Sequence, residues 1–282
     1  MGASTRTVIR PMTRADVEPA AEAIVRGDWG DRRQFLDFVV GRPRFHGFVA
    51  EVDGRIVGTG LGTDNGLVGW VGIVFVSPDT RGCGLGRALT EAAIEALERA
   101  GCQTLLLVAT ALGRPLYEKL GFELQGTYLT YRAPDPPPDE PDPSIRALTT
   151  ADAAAVAAID AAATGEDRAH LVSSIVHDES TGFGLVADDG TLLGHILRPS
   201  WGSGSTLAAE GAVGLRLLDH RRRLAGADHN VTCGILDLNE EGRRLLEASG
   251  WTHTRSHPRL IRGRPLDWRP DSIWGQFNFA LG

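Results

Sequence analysis

The run Val76-Ser77-Pro78-Asp79-Thr80-Arg81-Gly82-Cys83-Gly84-Leu85-Gly86-Arg87 joins an apolar strand to an amphipathic helix. The strand predicted upstream, Leu67 to Val76, alternates and then runs apolar through Ile73-Val74-Phe75-Val76 until Pro78 stops it. Downstream, Leu85, Leu89, Ala92, Ala93, Ala96 and Leu97 share one stripe of a helix predicted from about Gly84 to Ala100. Gly82, Gly84 and Gly86 let the backbone approach a ligand closely, and their N–H groups can point the same way. The helix start adds unsatisfied donors and a positive dipole end. Strand, glycine loop and helix read as a pyrophosphate cradle; a purely structural turn is the other reading. The spacing is not the Gly-x-Gly-x-x-Gly of dinucleotide folds, because Arg87 stands at the third glycine position.

Outward from this run the chain is mixed α/β. A buried strand is predicted over Gln103 to Val108, then a short helix with Pro115 near its start and Gly121 at its end, then a strand from Thr127 to Arg132. Residues 134–143 are all Pro, Asp or Glu, a composition that predicts an extended, solvated connector. The expected domains are therefore 1–133 and 144–282. The two sides repeat each other. Ile9-Arg10-x-x-Thr13-x-Ala15-Asp16 recurs from Ile145, and Asp53-Gly54-x-Ile56-Val57-Gly58 recurs from Asp189, both at an offset of 136. Leu116-x-Glu118-x-x-Gly121-Phe122 recurs from Leu245 at an offset of 129, so the second copy is 7 residues shorter in between.

Composition excludes several classes. The chain has 282 residues, 29 basic and 36 acidic, for a net charge of -7, which argues against a non-specific nucleic-acid binder. The single lysine, Lys119, lies in Glu-Lys-Leu, so the Gly-Lys-Ser/Thr of nucleotide triphosphatases is missing. Three scattered cysteines, Cys83, Cys102 and Cys233, build neither a disulfide framework nor a four-cysteine zinc site, and no metal is expected. Without a signal-like apolar core or an apolar run of about 18 residues, no membrane partner is expected and the expected location is the cytoplasm.

Arg-x-x-Gly-x-Gly after a strand ending Val-x-Pro-Asp resembles the acetyl-coenzyme A loop of the GNAT superfamily of N-acetyltransferases. Leu116-Tyr117-Glu118-Lys119-Leu120-Gly121-Phe122 resembles the family's second signature. Residues 6–132 look like one complete GNAT fold. Trp70-Val71-Gly72 and Ala109-Thr110-Ala111-Leu112-Gly113-Arg114-Pro115-Leu116-Tyr117 look most like a tandem subfamily, which usually has Asp where Val108 stands here. The resemblance implies two tandem modules, each a mixed, mostly antiparallel sheet flanked by helices. It further implies that the backbone of Val74, Phe75 and Val76 holds the pantetheine arm of acetyl-coenzyme A. Amides from Arg81, Gly82, Cys83, Gly84, Leu85, Gly86 and Arg87 would hold its pyrophosphate, and Tyr117 would protonate the departing thiolate.

The acceptor implied is a small-molecule amine, which must lose a proton before attacking a thioester. No carboxylate or His lies on Leu67 to Val76, so the base is left open between relayed water, Glu51 and His46. Asp28 and Trp29, in the loop between the first two helices, and Trp70 are the expected acceptor contacts. His253 and His257 read as a surface strand, and His220-Arg221-Arg222-Arg223 as the solvated last turn of a helix. The second module resembles the C-terminal module of the same subfamily through Gly165-Glu166-Asp167-Arg168, Arg198-Pro199 and Arg259-Leu260-Ile261-Arg262-Gly263. It lacks the glycine loop, and Leu246 replaces Tyr117, so it is expected not to bind acetyl-coenzyme A and to close the acceptor cleft instead. A coenzyme A sensor without turnover is the alternative, a mycothiol-synthase-like activity the third reading, and the expected assembly is a monomer or homodimer.

Overall fold

The computed structural model describes residues 6–137, 139–177, 181–202, 204–226 and 231–282. The first half of the chain runs β1 (Thr7–Pro11), α1 (Val17–Arg26), α2 (Arg33–Val39), β2 (Phe45–Val52), β3 (Arg55–Asn65), β4 (Val68–Val76), α3 (Leu85–Ala100), β5 (Thr104–Val108), α4 (Arg114–Lys119) and β6 (Glu123–Arg132). The second half repeats that order: β7 (Ile145–Ala147), α5 (Ala153–Thr164), α6 (Ala169–His177), β8 (Thr181–Val186), β9 (Leu192–Arg198), β10 (Ser205–Ala208), α7 (Gly211–Ala225), β11 (Thr232–Leu236), α8 (Glu240–Ala248) and β12 (Thr252–Gly263). A last short strand, β13 (Ile273–Gly275), has no counterpart in the first half.

The repeat is visible atom by atom. Thr13 and Asp16 form a capping box before α1, and Thr149 with Asp152 forms the same box before α5. Arg10 clamps Asp16 with both guanidinium nitrogens at 2.8 Å, as Arg146 clamps Asp152 at 2.9 and 2.7 Å. The hairpin glycines Gly54 and Gly190 take φ of 82° and 86°, a left-handed conformation that favours glycine in these turns.

Two sheets result, of order β1-β2-β3-β4-β5-β12-β6-β11 and β13-β10-β9-β8-β7. The larger one interleaves strands from both halves. β12 lies between β5 and β6, antiparallel to each, and β11 pairs with the outer edge of β6. Because β6 and β12 occupy equivalent positions in the repeat, each copy's last long strand pairs with the other copy's preceding strand. The halves also share a core: Phe35, Phe38 and Phe75 pack in one cluster with Leu171, Val172, Phe277 and Leu281. β6 starts at Glu123, four residues before the strand expected from Thr127, because the added β12 pairing reaches Glu123.

One expectation is refined here and one corrected. The connector is mostly exposed and free of helix or strand, but it is tethered to α7 near both ends: Arg222 donates to the carbonyls of Pro134 and Pro136 at 2.9 and 2.7 Å, and Arg216 binds Asp142. For the same reason His220, Arg221 and Arg222 are buried rather than solvated, since the connector and neighbouring strands cover that turn. Pro138, within the connector, lies outside the described residues. Among the described residues, no helix is long and apolar enough to cross a membrane.

Candidate functional site

β4 and β5 run parallel but pair only through Val68, Gly69 and Trp70. Beyond Trp70 they diverge, so from Val71 to Val76 the flank of β4 turned toward β5 has no strand partner. The other flank stays on β3, with one irregularity: Thr59 faces Phe75 and Leu61 faces Gly72, so β4 carries an extra residue between them. The bulge sits at Ile73, whose φ of 48° is a strained value for a β-branched residue. The Thr59 hydroxyl holds it by donating to the Ile73 carbonyl at 2.8 Å.

β4 then feeds the glycine loop. Arg81 Nε folds back to the Val76 carbonyl at 3.1 Å. Gly82 and Gly84 take φ of 84° and 80°, and Gly84 is the N-cap of α3. No side chain caps that helix, so its first amides keep their hydrogen-bonding capacity. A Cβ at Gly82 or Gly84 would meet nothing within 4 Å, so the cradle opens onto free space. Close approach of α3 depends on Gly60, where a Cβ would lie 3.1 Å from the Leu89 carbonyl oxygen.

Below the loop, α4 presents Tyr117, 8% exposed, with its ring edge-on to Phe122. Burial pushes the phenol up to about 12, so it stays protonated at neutral pH. These parts line one cavity of about 1310 Å³. Asp28, Trp29, Val74, Phe75, Val76, Arg81, Gly82, Gly84, Leu85, Gly86 and Tyr117 all line it. Trp29 also packs edge-on against Phe75, their ring centroids 5.7 Å apart.

Residues 43–124 match the family model described as acetyltransferase (GNAT) domain. Over these residues the chain is similar to a GNAT acetyltransferase domain. The chain is 37% identical over 95 residues to a mycothiol acetyltransferase of Thermomonospora curvata, a match covering 32% of this chain and 31% of that one. The match thus spans about a third of that relative's length. A structure from Pyrococcus horikoshii, described as a candidate acetyltransferase, superposes with a TM-score of 0.84 at 19% identity, covering 98% of this chain and 96% of that one. A tandem GNAT protein from the clavulanic acid biosynthesis pathway superposes with a TM-score of 0.63 at 15% identity, covering 93% and 100%. These likenesses establish the fold, with tandem modules among its neighbours.

Around this cavity, several expected residues are placed elsewhere. Glu51 sits on β2 and binds Arg10 at 2.9 Å; it does not line the cavity, because that carboxylate closes a cluster with Arg10 and Asp16 on another face. His46 lines a separate hollow of about 530 Å³, and burial lowers its proton affinity. Trp70 is fully buried, donating its indole N–H to Glu166 at 2.9 Å, and does not reach the cavity. Cys83, on the loop, and Arg87, on the first turn of α3, keep their expected backbone positions, with side chains directed away: the Cys83 side chain is exposed, and Arg87 pairs with Glu91 at 2.8 Å.

The second half supplies walls, as expected, but through residues that sequence reasoning did not pick out. His257, on β12, lines the cavity with its ring 4.9 Å from Phe279, although β12 reads as a surface strand. Burial and the neighbouring Arg255 lower the proton affinity of its imidazole. Only the insertion of β12 beside β5 brings it there. The last residues form another wall: Thr63 donates to the Ala280 carbonyl at 2.9 Å and Asn65 to that of Leu281 at 3.1 Å. In the second module the equivalent gap beside β10 is taken by β13, which pairs with β10 and drives Trp274 against Gly214 of α7.

Proposed function

We propose that this protein is an acetyl-coenzyme A-dependent N-acetyltransferase acting on the primary amine of a small-molecule acceptor. The observation that carries the reading is that one cavity joins the unpartnered flank of β4, the left-handed glycine loop and the buried Tyr117. On this reading residues 1–133 hold the cosubstrate, and residues 144–282 complete the acceptor end.

Bound there, acetyl-coenzyme A supplies an activated acetyl thioester. Backbone groups of Val74 and Val76 orient its extended arm, and an N–H on this flank stabilises charge developing on the carbonyl oxygen. The amides from Gly82 to Arg87 hold the pyrophosphate. Tyr117, held protonated, donates its phenolic proton to the sulfur that leaves. His257 is the proton acceptor for the ammonium group, in place of Glu51 and His46; its imidazole is the only one lining the cavity among the described residues, and it is held neutral. Asp28 and Trp29 border the acceptor.

The test is a Gly84→Asp, Gly86→Asp double variant followed by calorimetry with acetyl-coenzyme A. Binding should be abolished; one full equivalent still bound would place the cosubstrate in the second module and overturn the reading. Thiol release across an amine panel separates an enzyme from a sensor, since tight binding with no turnover would leave only the latter.

A further inference from the structure

The part of the cavity built by β6, β11, β12 and α7 has a chemistry that the transfer step does not use. It presents three arginines, Arg132, Arg221 and Arg255, among the hydroxyls of Thr130, Thr232 and Thr254. The three cations come from different elements and converge through strand register. Arg132 stands opposite Thr232, and Arg255 stands opposite Thr130, two residues along the same face of β6. Arg221 reaches the same place from α7, with its guanidinium 3.3 Å from the Thr232 carbonyl and 3.4 Å from the Thr206 hydroxyl.

Among the described residues, no carboxylate pairs with this charge. Among the described residues none of the three arginines forms an ion pair, whereas Arg222, the next residue on α7, pairs with Asp219 at 2.7 Å. Arg221 is only 8% exposed. A buried guanidinium with two long hydrogen bonds is costly, and the nearby Arg198 makes it more so. Burial accordingly pushes Arg221 down to about 10. Among the described residues Asp28 is the only carboxylate lining the cavity, and it lies on the α1–α2 loop of the other half. A chain of net charge -7 thus keeps a cationic end in its acceptor cavity.

We propose that Arg132, Arg221 and Arg255 form an anion subsite for the acceptor, which is therefore a small amine that also carries a carboxylate or phosphate group. The inference rests on the N-acetyltransferase reading for the word acceptor, but the anion site itself does not.

The experiment titrates ω-amino acids from β-alanine to 6-aminohexanoate, O-phosphoethanolamine and n-butylamine into the full-length protein by calorimetry, with and without coenzyme A. At least one carboxylate or phosphate amine should bind about tenfold or more tightly than n-butylamine, the size of one charge-assisted contact. Which of the two anions is preferred identifies the group. An Arg132→Gln, Arg255→Gln double variant, both side chains being exposed, should reduce that preference to about threefold or less while leaving coenzyme A affinity unchanged. Arg221→Met, checked by circular dichroism for folding, should do the same. No preference at any chain length, or a preference the double variant retains, overturns the proposal. So does a loss of coenzyme A affinity in the double variant, because the cluster would then serve the cosubstrate. If anionic amines bind but no amine releases thiol, the subsite stands and the transferase reading falls. If neutral and anionic amines are acetylated with equal kcat/KM, the transferase reading stands and the subsite falls.

Discussion

Trp70 donates its indole N–H to Glu166 at 2.9 Å, at the residue where β4 and β5 part. The same carboxylate oxygen accepts from Asn65 at 2.7 Å, so one buried side chain of the second half fastens β3 to β4 beside their hairpin. Arg168, gripped by Asp160 through two bonds of 2.8 Å, and Arg259, stacked over Trp70 with its guanidinium 4.8 Å from the ring centroid, supply positive charge around it. The point on β4 where the cleft opens is therefore held by a contact between the two halves.

Glu166→Ala should destabilise the protein strongly. It leaves two buried donors unpaired and removes the negative charge facing Arg168 and Arg259. The expected loss is about 3–5 kcal/mol in urea unfolding, whereas Glu166→Gln, which keeps an acceptor, should cost less. Equal losses would mean that the Glu166 charge carries the whole effect and the retained acceptor none of it.

Gly72→Ala should disturb the cleft wall without touching the glycine loop. A Cβ at Gly72 would collide with Ala280, so the last residues must move. Overpacking of this kind costs about 1–3 kcal/mol, and the shift of Phe279 beside His257 should raise the KM for the acceptor. Coenzyme A affinity by calorimetry should stay as in the wild type; a parallel loss would mean that the tail also shapes the cosubstrate slot.

Tyr117→Phe should lower kcat by about 100-fold or more while leaving acetyl-coenzyme A affinity intact, because only the proton donor is lost. Glu51→Gln is the contrasting variant. Its carboxylate binds Arg10 outside the cavity, so thiol release should change by less than about twofold, within the small effect of a partly exposed ion pair. A large fall for Glu51→Gln would return that residue to the site.

A pH profile tests His257. Its proton affinity lies below the ordinary imidazole value of about 6.5, so the neutral, proton-accepting form persists as pH falls through that value. The acid limb of kcat/KM should therefore lie below pH 6.5, and His257→Asn should remove it together with about 100-fold of the rate. An unchanged acid limb in the variant would assign the proton to another acceptor.

Much of the glycine-loop side of the cavity was legible along the chain. The glycine loop, the α3 stripe, both capping boxes and the hairpin glycines depend on residues a few positions apart, where backbone geometry and helical period are local matters. The acceptor side was far less so. Trp70 reads as a cleft residue until Glu166, 96 positions away, claims its N–H. His257 and Arg255 read as a polar surface strand, since alternation reports which residues share a face but not which strand lies alongside.

The amino-acid order alone established a duplicated α/β chain with a glycine loop in one copy and none in the other, because turns, caps and periodicity are short-range. Pairing across the connector settled the rest. β12 between β5 and β6 carries His257 and Arg255 into the cavity, β13 fills the second module's gap, and the unpaired arginines meet on neighbouring elements. Strand pairing is a choice among distant partners made by burial and register, and it is there that a charged end for the acceptor first comes into existence.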